Sequence, residues 1–352
     1  MDLIHPRSTR EVTNVLRAAT ADRRRVLVAG GRRHLDKGDP SEVDAELWTT
    51  QLDDIVAYEP AEMIAVVGGG VRVGTLSDLL AAGGQEWPFE APADATVGGV
   101  VAAAVNSPRR LRVGAVRDSV LEVELVTGDG RLVRGGARTV KNVTGYDLPR
   151  LVTGSLGTLG VIVQLALKVR PLPKATRTLR AAGVDGLDLG RRLLDAVPSP
   201  AAVIATVDGV ELRLEGWPDE VSAQAAAARA LAGELVELDE HAPFPAHRPW
   251  EDRPILVEAA VPPSRIPALL ADISAPWGAL LGVGLVWIGL ASADGELASL
   301  RARASAFTGV APVIRGEGGL GSGPPAPEVH LRLREAFDPA WILAPGRSWS
   351  AR

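Results

Sequence analysis

The chain contains no cysteine, which removes disulfides, thiolate nucleophiles, Cys-ligated zinc and Fe–S clusters from what its 352 residues can do alone. Aromatic residues make up only 4%, so a core has to be built from Val, Leu, Ile and Ala. Lysine occurs only at Lys37, Lys141, Lys168 and Lys174. The net charge of -5 argues against nucleic acid or an anionic membrane as the main partner. No apolar run reaches the roughly 18 to 20 residues that cross a bilayer. The opening "MDLIHPRSTREV" has no basic stretch leading into an apolar one. A cytoplasmic protein is expected, attached to a membrane only through a partner. No familiar catalytic signature is present: no G-x-x-x-x-G-K-[ST], no H-E-x-x-H, no G-x-S-x-G and no complete G-x-G-x-x-G at a strand-helix turn. His5, His34, His241, His247 and His330 show no metal-ligand spacing, so no metal is expected.

Periodicity supplies the elements. Ser8 and Glu11 have capping-box spacing, and Val12, Val15, Leu16 and Ala19 share one helical face. A strand at Val26–Ala29 follows, then strands near Ile55–Tyr58 and Met63–Val67. "GTLSDLLAAGG" reads as a short helix capped by Thr75 and stopped by Gly83-Gly84. "SVLEVELVTGDGRLVRGG" reads as a hairpin and "GVIVQLALKVRPLP" as a strand ended by Pro171 and Pro173. Beyond Lys174 come helices at Leu187–Ala196, Val221–Ala232, Arg265–Ile273, Glu296–Ala306 and Glu328–Phe337. The strands there include a pair joined by Asp208-Gly209, then Ile255–Val261 and Gly284–Leu290. This alternation predicts an α+β domain with helices on an antiparallel sheet. The expected division is 1–173, 174–325 and a C-terminal segment, 326–352, returning towards the first domain.

What the chain has in quantity is glycine at the ends of short strands in its first half, including Gly30-Gly31, Gly98-Gly99, Gly145, Gly157 and Gly160. Glycine tolerates positive φ and lets backbone N–H groups approach a ligand. "VLVAGGRRHLDKG" looks like a strand entering a phosphate loop, yet Arg32, Arg33 and His34 stand where such a loop prefers glycine. Lys141-Asn142 and Tyr146-Asp147 flank Gly145; they line a site, or Asp147 caps the next segment. Arg117-Asp118 reads as an ion pair bracing the site or as a contact to its ligand. Arg109, Arg110 and Arg112 form a basic cluster whose default is a solvated loop.

Over Thr96–Pro173, "GAVRDSV", "KNVTGYDLPRL" and "GSLGTLGVI" follow one another as in the FAD-binding subunits of bacterial glycolate oxidase, and the tail "LREAFDPAWILAPGR" resembles that family's ending. The family is of the vanillyl-alcohol-oxidase, or PCMH, type. The resemblance implies a two-subdomain domain holding FAD non-covalently, followed by an α+β cap domain. Gly30, Gly31, Arg32, Arg33 and His34 would form the diphosphate loop. Thr96, Gly98, Gly99, Arg117, Asp118, Gly160, Val161 and Ile162 would supply the larger subdomain, with Lys141, Asn142, Gly145, Tyr146 and Asp147 near the flavin. The activity implied is oxidation of a 2-hydroxy acid by hydride transfer to flavin, with electrons passed to a partner. The partners implied are a paralogous flavoprotein subunit and an Fe–S subunit.

This chain departs from the family at four places. Arg32 and Arg33 replace a glycine and a hydroxyl residue, Ser107 stands where glycine is usual, and Ala344 stands where asparagine is usual. A non-glycine at a positive-φ position costs about 1 kcal/mol or more, and its side chain either fills the phosphate's space or swings out as a fork of donors. Two other functions follow if binding is lost or redirected. One is a non-catalytic structural subunit with a flavoprotein fold; the other is a stand-alone FAD-dependent alcohol or sugar-lactone oxidase. No catalytic base is assigned.

Overall fold

A computed structural model describes residues 1–38, 42–138, 145–321 and 327–347. The chain divides into two compact units. One is Met1–Asn106 with Ala115–Leu172 and Ser322–Arg352; the other is Ser107–Gly114 with Pro173–Gly321.

In the first unit the helix Thr9–Ala21 is capped by Ser8, whose Oγ accepts the Glu11 amide at 3.3 Å. The Glu11 carboxylate accepts the Arg7 amide at 2.9 Å, so the reciprocal half of the capping box lands one residue earlier than expected. Val12 and Leu16 are fully buried. This helix joins the outer strands of a three-stranded parallel sheet, ordered Asp2–Ile4, Ala45–Trp48, Val26–Ala29. The tail closes the far edge: Val26 bridges Leu343 in parallel, and its N–H donates to Ile342 O at 2.7 Å.

The second sheet of this unit is antiparallel, ordered Ile55–Glu59, Ile64–Gly68, Val161–Lys168, Val120–Val126, Leu132–Gly136. Val12, Leu16, Val26, Leu47, Val126, Val161 and Leu343 form one buried cluster, so the first helix, both sheets and the tail share a core. Met63 is not in a strand; it has φ 57° and closes the 3-10 turn Pro60–Glu62. Thr75 does not cap a helix either. The helix Val73–Ala82 starts two residues earlier, behind Arg72, and Thr75 is its third residue.

The second unit is an eight-stranded antiparallel sheet ordered Val236–Glu237, Ala175–Ala182, Gly209–Gly216, Ala202–Thr206, Trp277–Leu280, Leu285–Leu290, Ile255–Ala260, Val313–Arg315. Helices Gly186–Ala196, Pro218–Leu231, Ile266–Leu270 and Gly295–Ala306 bury Leu193, Ala225, Leu269 and Leu300 against Leu179, Leu212, Leu214 and Ile288. The α+β class expected from the pattern is what this unit shows. The helix expected over Arg265–Ile273 is instead a 3-10 turn, Pro263–Arg265, and one α-turn, Ile266–Leu270, before Asp272 turns left-handed at φ 63°. Strands Ala175–Ala182, Trp277–Leu280 and Val313–Arg315 escape the sequence pattern: Arg177 and Arg180 fall on opposite faces of the first and break its alternation, and the others are only four and three residues long.

The arginine cluster is not a solvated loop. Arg109 lies in the second unit, its side chain 12% exposed, and pairs at 3.1 Å with Glu215, itself 1% exposed. Arg112 donates to Ser199 O at 3.3 Å. Arg109 is an internal counter-ion. Ser107, fully buried, accepts the Arg109 amide at 3.0 Å and has no positive φ, so glycine is not required there.

Candidate cofactor site

Within the first unit, the loop leaving strand Val26–Ala29 faces helix Val97–Ala103 across a pocket lined by Gly30, Gly31, Arg32, Arg33, His34, Thr96, Gly98, Gly99, Gly160, Ile162 and Arg347. Two close approaches set the loop's height. A Cβ on Gly30 would collide with Thr96 Oγ1. One on Gly31 would collide with the Asp94 carbonyl oxygen and lie 3.1 Å from Ala95 Cα. Thr96 is itself committed, capping its helix by accepting the Gly99 amide at 3.2 Å.

Arg32 sits at φ 57°, where the family's glycine would be unstrained. Its strain of about 1 kcal/mol is offset by two contacts. Its guanidinium pairs with Glu46, a buried carboxylate on the central strand of the parallel sheet, and stacks 5.5 Å from the Trp48 ring. Trp48 Nε1 donates to the same carboxylate at 3.0 Å. Arg33 forks onto Asp94, with Nε donating to Oδ1 at 2.8 Å. The two arginine charges at the loop are therefore each cancelled by a carboxylate of the protein.

The remaining loop donors are not cancelled. Among the described residues, no hydrogen bond engages the amides of Gly31, Arg32, Arg33 or His34. One left-handed residue between neighbours of the other hand is the backbone pattern in which successive N–H groups converge on an anion. His34 Nε2 and Arg347 Nε are buried and have no partner. These orphaned donors and the glycine-floored pocket fit a phosphate-bearing ligand. Burial, and next the charge of Lys37, lower the His34 pKa from 6.5 to about 4.

That shift has a measurable consequence. Between about pH 4 and 6.5 the unfolded chain binds more protons at His34 than the folded one, so stability rises with pH across that window. Without ligand, His34 is expected to cost about 2–3 kcal/mol of stability on going from pH 7 to about pH 4.5. Denaturant unfolding of wild type and His34→Gln at both pH values checks this. The variant should lose less stability on acidification by that amount, and equal losses would remove the assignment.

The other expected site residues lie elsewhere. Arg117 and Asp118 pair at 3.8 Å on a half-exposed 3-10 turn, Val116–Ser119, with Arg150 3.6 Å from Asp118. They do not line this pocket. Asp147 caps helix Leu148–Val152, accepting the Arg150 amide at 3.0 Å. Tyr146 is 96% exposed, and Gly145, at φ 90°, has open space around it. Val161 is buried in the core, paired with Val126. Lys141 and Asn142 lie outside the described residues. Arg347 was not legible as a site residue, although it sits in the tail motif "APGR". Of the histidines, His247 faces Asp208 at 3.2 Å and His241 is exposed beside Asp239; His330 is exposed on the last helix. Among the described residues, no group of three or more His, Cys, Asp or Glu could hold a metal, and no helix is long and apolar enough to cross a membrane.

Residues 3–136 match the FAD binding domain family. The glycolate oxidase subunit GlcE of Escherichia coli is 31% identical over 317 residues, covering 84% of this chain and 85% of that protein. A D-lactate dehydrogenase of Archaeoglobus fulgidus is 33% identical over 171 residues, covering 48% of this chain and 38% of that one. In structure, alkyldihydroxyacetonephosphate synthase superposes with a TM-score of 0.72 over 97% of this chain and 76% of its own, at 15% identity, a likeness of fold. With that fold, the glycine-loop pocket and a relative matched along most of both lengths, the chain belongs to the family of FAD-binding oxidoreductases that includes the glycolate oxidase subunits.

Proposed function

We propose that this chain is the FAD-carrying subunit of a complex that oxidises a 2-hydroxy acid, with glycolate as first candidate, and passes electrons to a partner. The observation that carries the reading is the set of uncommitted donors at one pocket: the amides from Gly31 to His34 and the buried nitrogens of His34 and Arg347. FAD would be held there without a covalent link, its diphosphate on the loop and its flanks against Gly98, Gly99, Gly160 and Ile162. A bound flavin supplies a two-electron acceptor. With no cysteine in the chain, an Fe–S relay belongs to a partner, and a paralogous flavoprotein subunit is the other expected neighbour. Arg117, Asp118, Lys141, Asn142, Tyr146 and Asp147 remain proposed contacts nearer the flavin, carried by resemblance alone. The two loop arginines, the motive for reading a non-catalytic subunit, are accounted for by Glu46 and Asp94, which favours the cofactor-bearing reading.

Anaerobic addition of glycolate or D-lactate to the complex purified through this chain tests the proposal. Loss of flavin absorbance near about 450 nm, assigned to this chain by its dependence on the loop residues, is the expected result. A complex whose flavin in this chain keeps its colour with every 2-hydroxy acid assigns the subunit a structural role.

A further inference from the structure

The C-terminal tail runs beside Val26, accepts and donates main-chain hydrogen bonds there, and turns at Ala344 and Gly346, with φ 36° and 84°. That turn brings Arg347 against the loop, where its Nη2 donates to the Leu35 carbonyl at 2.7 Å and to the Lys37 carbonyl. Arg347 is 5% exposed, and among the described residues no carboxylate pairs with it. Asp36 attracts it at a distance, while burial lowers its pKa. Lys37 likewise spends its ammonium on a carbonyl, that of Ala103 at 2.7 Å.

The charges around the pocket therefore divide into two kinds. Arg32 and Arg33 are neutralised by Glu46 and Asp94. Arg347 and Lys37 are held by carbonyls, which fix their positions, and among the described residues no carboxylate forms an ion pair with either. A buried cation without a counter-ion is costly unless an anion arrives. Arg347 Nε and His34 Nε2 are both buried without partners, and both residues line the pocket.

We propose that Arg347 is the counter-ion of the cofactor's diphosphate, delivered by the tail, with His34 as a second donor, so that the C-terminal segment completes the phosphate site of a loop more than three hundred residues away. This rests on the FAD reading above. The tail clasps the loop, and ligand charge in turn strengthens the clasp.

The test is the FAD dissociation constant, by quenching of flavin fluorescence, at low and high salt for wild type, Arg347→Gln and Arg347→Lys. Ligand-free melting is recorded on the same samples. Glutamine keeps an amide donor for the two loop carbonyls but removes the charge. It is expected to weaken FAD binding about 10- to 100-fold and to flatten the salt dependence. Lysine should keep the salt dependence and recover part of the affinity. Wild-type affinity in the glutamine variant, or weaker binding with unchanged salt dependence, overturns the proposal and leaves the FAD reading standing. A wild type that binds no FAD overturns both.

Discussion

Gly31→Ala is expected to weaken FAD binding at least ~100-fold, about 3 kcal/mol, more than any other single methyl in this loop. The added Cβ would meet the Asp94 carbonyl oxygen and Ala95 Cα, both backbone, so no side-chain rotation relieves it. The loop must lift from the segment that precedes Thr96, and the four uncommitted amides move with it. Overpacking of this kind costs roughly 1–3 kcal/mol of stability, so the folded protein should persist while binding is lost. Gly84→Ala is the control. It has φ 67° but open space around it, so it should cost about 1 kcal/mol of stability and leave FAD affinity unchanged. Equal FAD affinity in Gly31→Ala and wild type would mean the loop does not hold the cofactor.

The largest stability effect is expected at Asp338. Its carboxylate is fully buried and accepts the amides of Ile342 at 3.1 Å and Leu343 at 2.8 Å, the two residues that lie along Val26. Arg334 completes the knot: it donates to the Leu343 carbonyl at 2.8 Å and stacks 4.6 Å from the Trp341 ring. Burial raises the Asp338 pKa, while the two amides and Arg334 oppose the rise. Asp338→Ala strands two buried donors and removes a charge that Arg334 faces. The expected loss is about 3–5 kcal/mol, or roughly 10 °C in the melting of the first unit. Asp338→Asn keeps one acceptor and should lose about half as much. Because the same tail carries Arg347, FAD binding should weaken with it. Melting curves on the three proteins check this, and an alanine variant within about 1 kcal/mol of wild type would show that the tail is not held this way.

Much of the architecture could be read from the residues. Short-range signals worked where their physics is local: the Ser8 cap, the Thr127–Gly130 turn and the glycines that end strands all depend on neighbours in sequence. The tail "LREAFDPAWILAPGR" was recognisable, and the structure supplies its reasons in Asp338, in Arg347 and in the left-handed turn at Ala344, a conformation that asparagine tolerates better than alanine. What was not legible depends on register between distant segments. Whether Arg32 fills the phosphate's space or swings out was open in the sequence because nothing in the loop shows that Glu46 and Trp48 come to meet it. Arg109 looked solvated because Glu215 lies 106 residues away. Arg347 carried no signal beyond its place in the ending, since its role comes from a tail that returns to the first strand. The strand Ala175–Ala182 was hidden because Arg177 and Arg180 fall on opposite faces and blur its period.

The central claim is that this chain itself holds FAD in the pocket beneath the Gly30–His34 loop. Its most direct test is the flavin content of the chain purified alone, followed by titration with FAD. A yellow protein with absorbance near about 450 nm, saturating at one FAD per chain and releasing free flavin on denaturation, is the predicted result. A colourless chain that takes up no FAD on titration would contradict it.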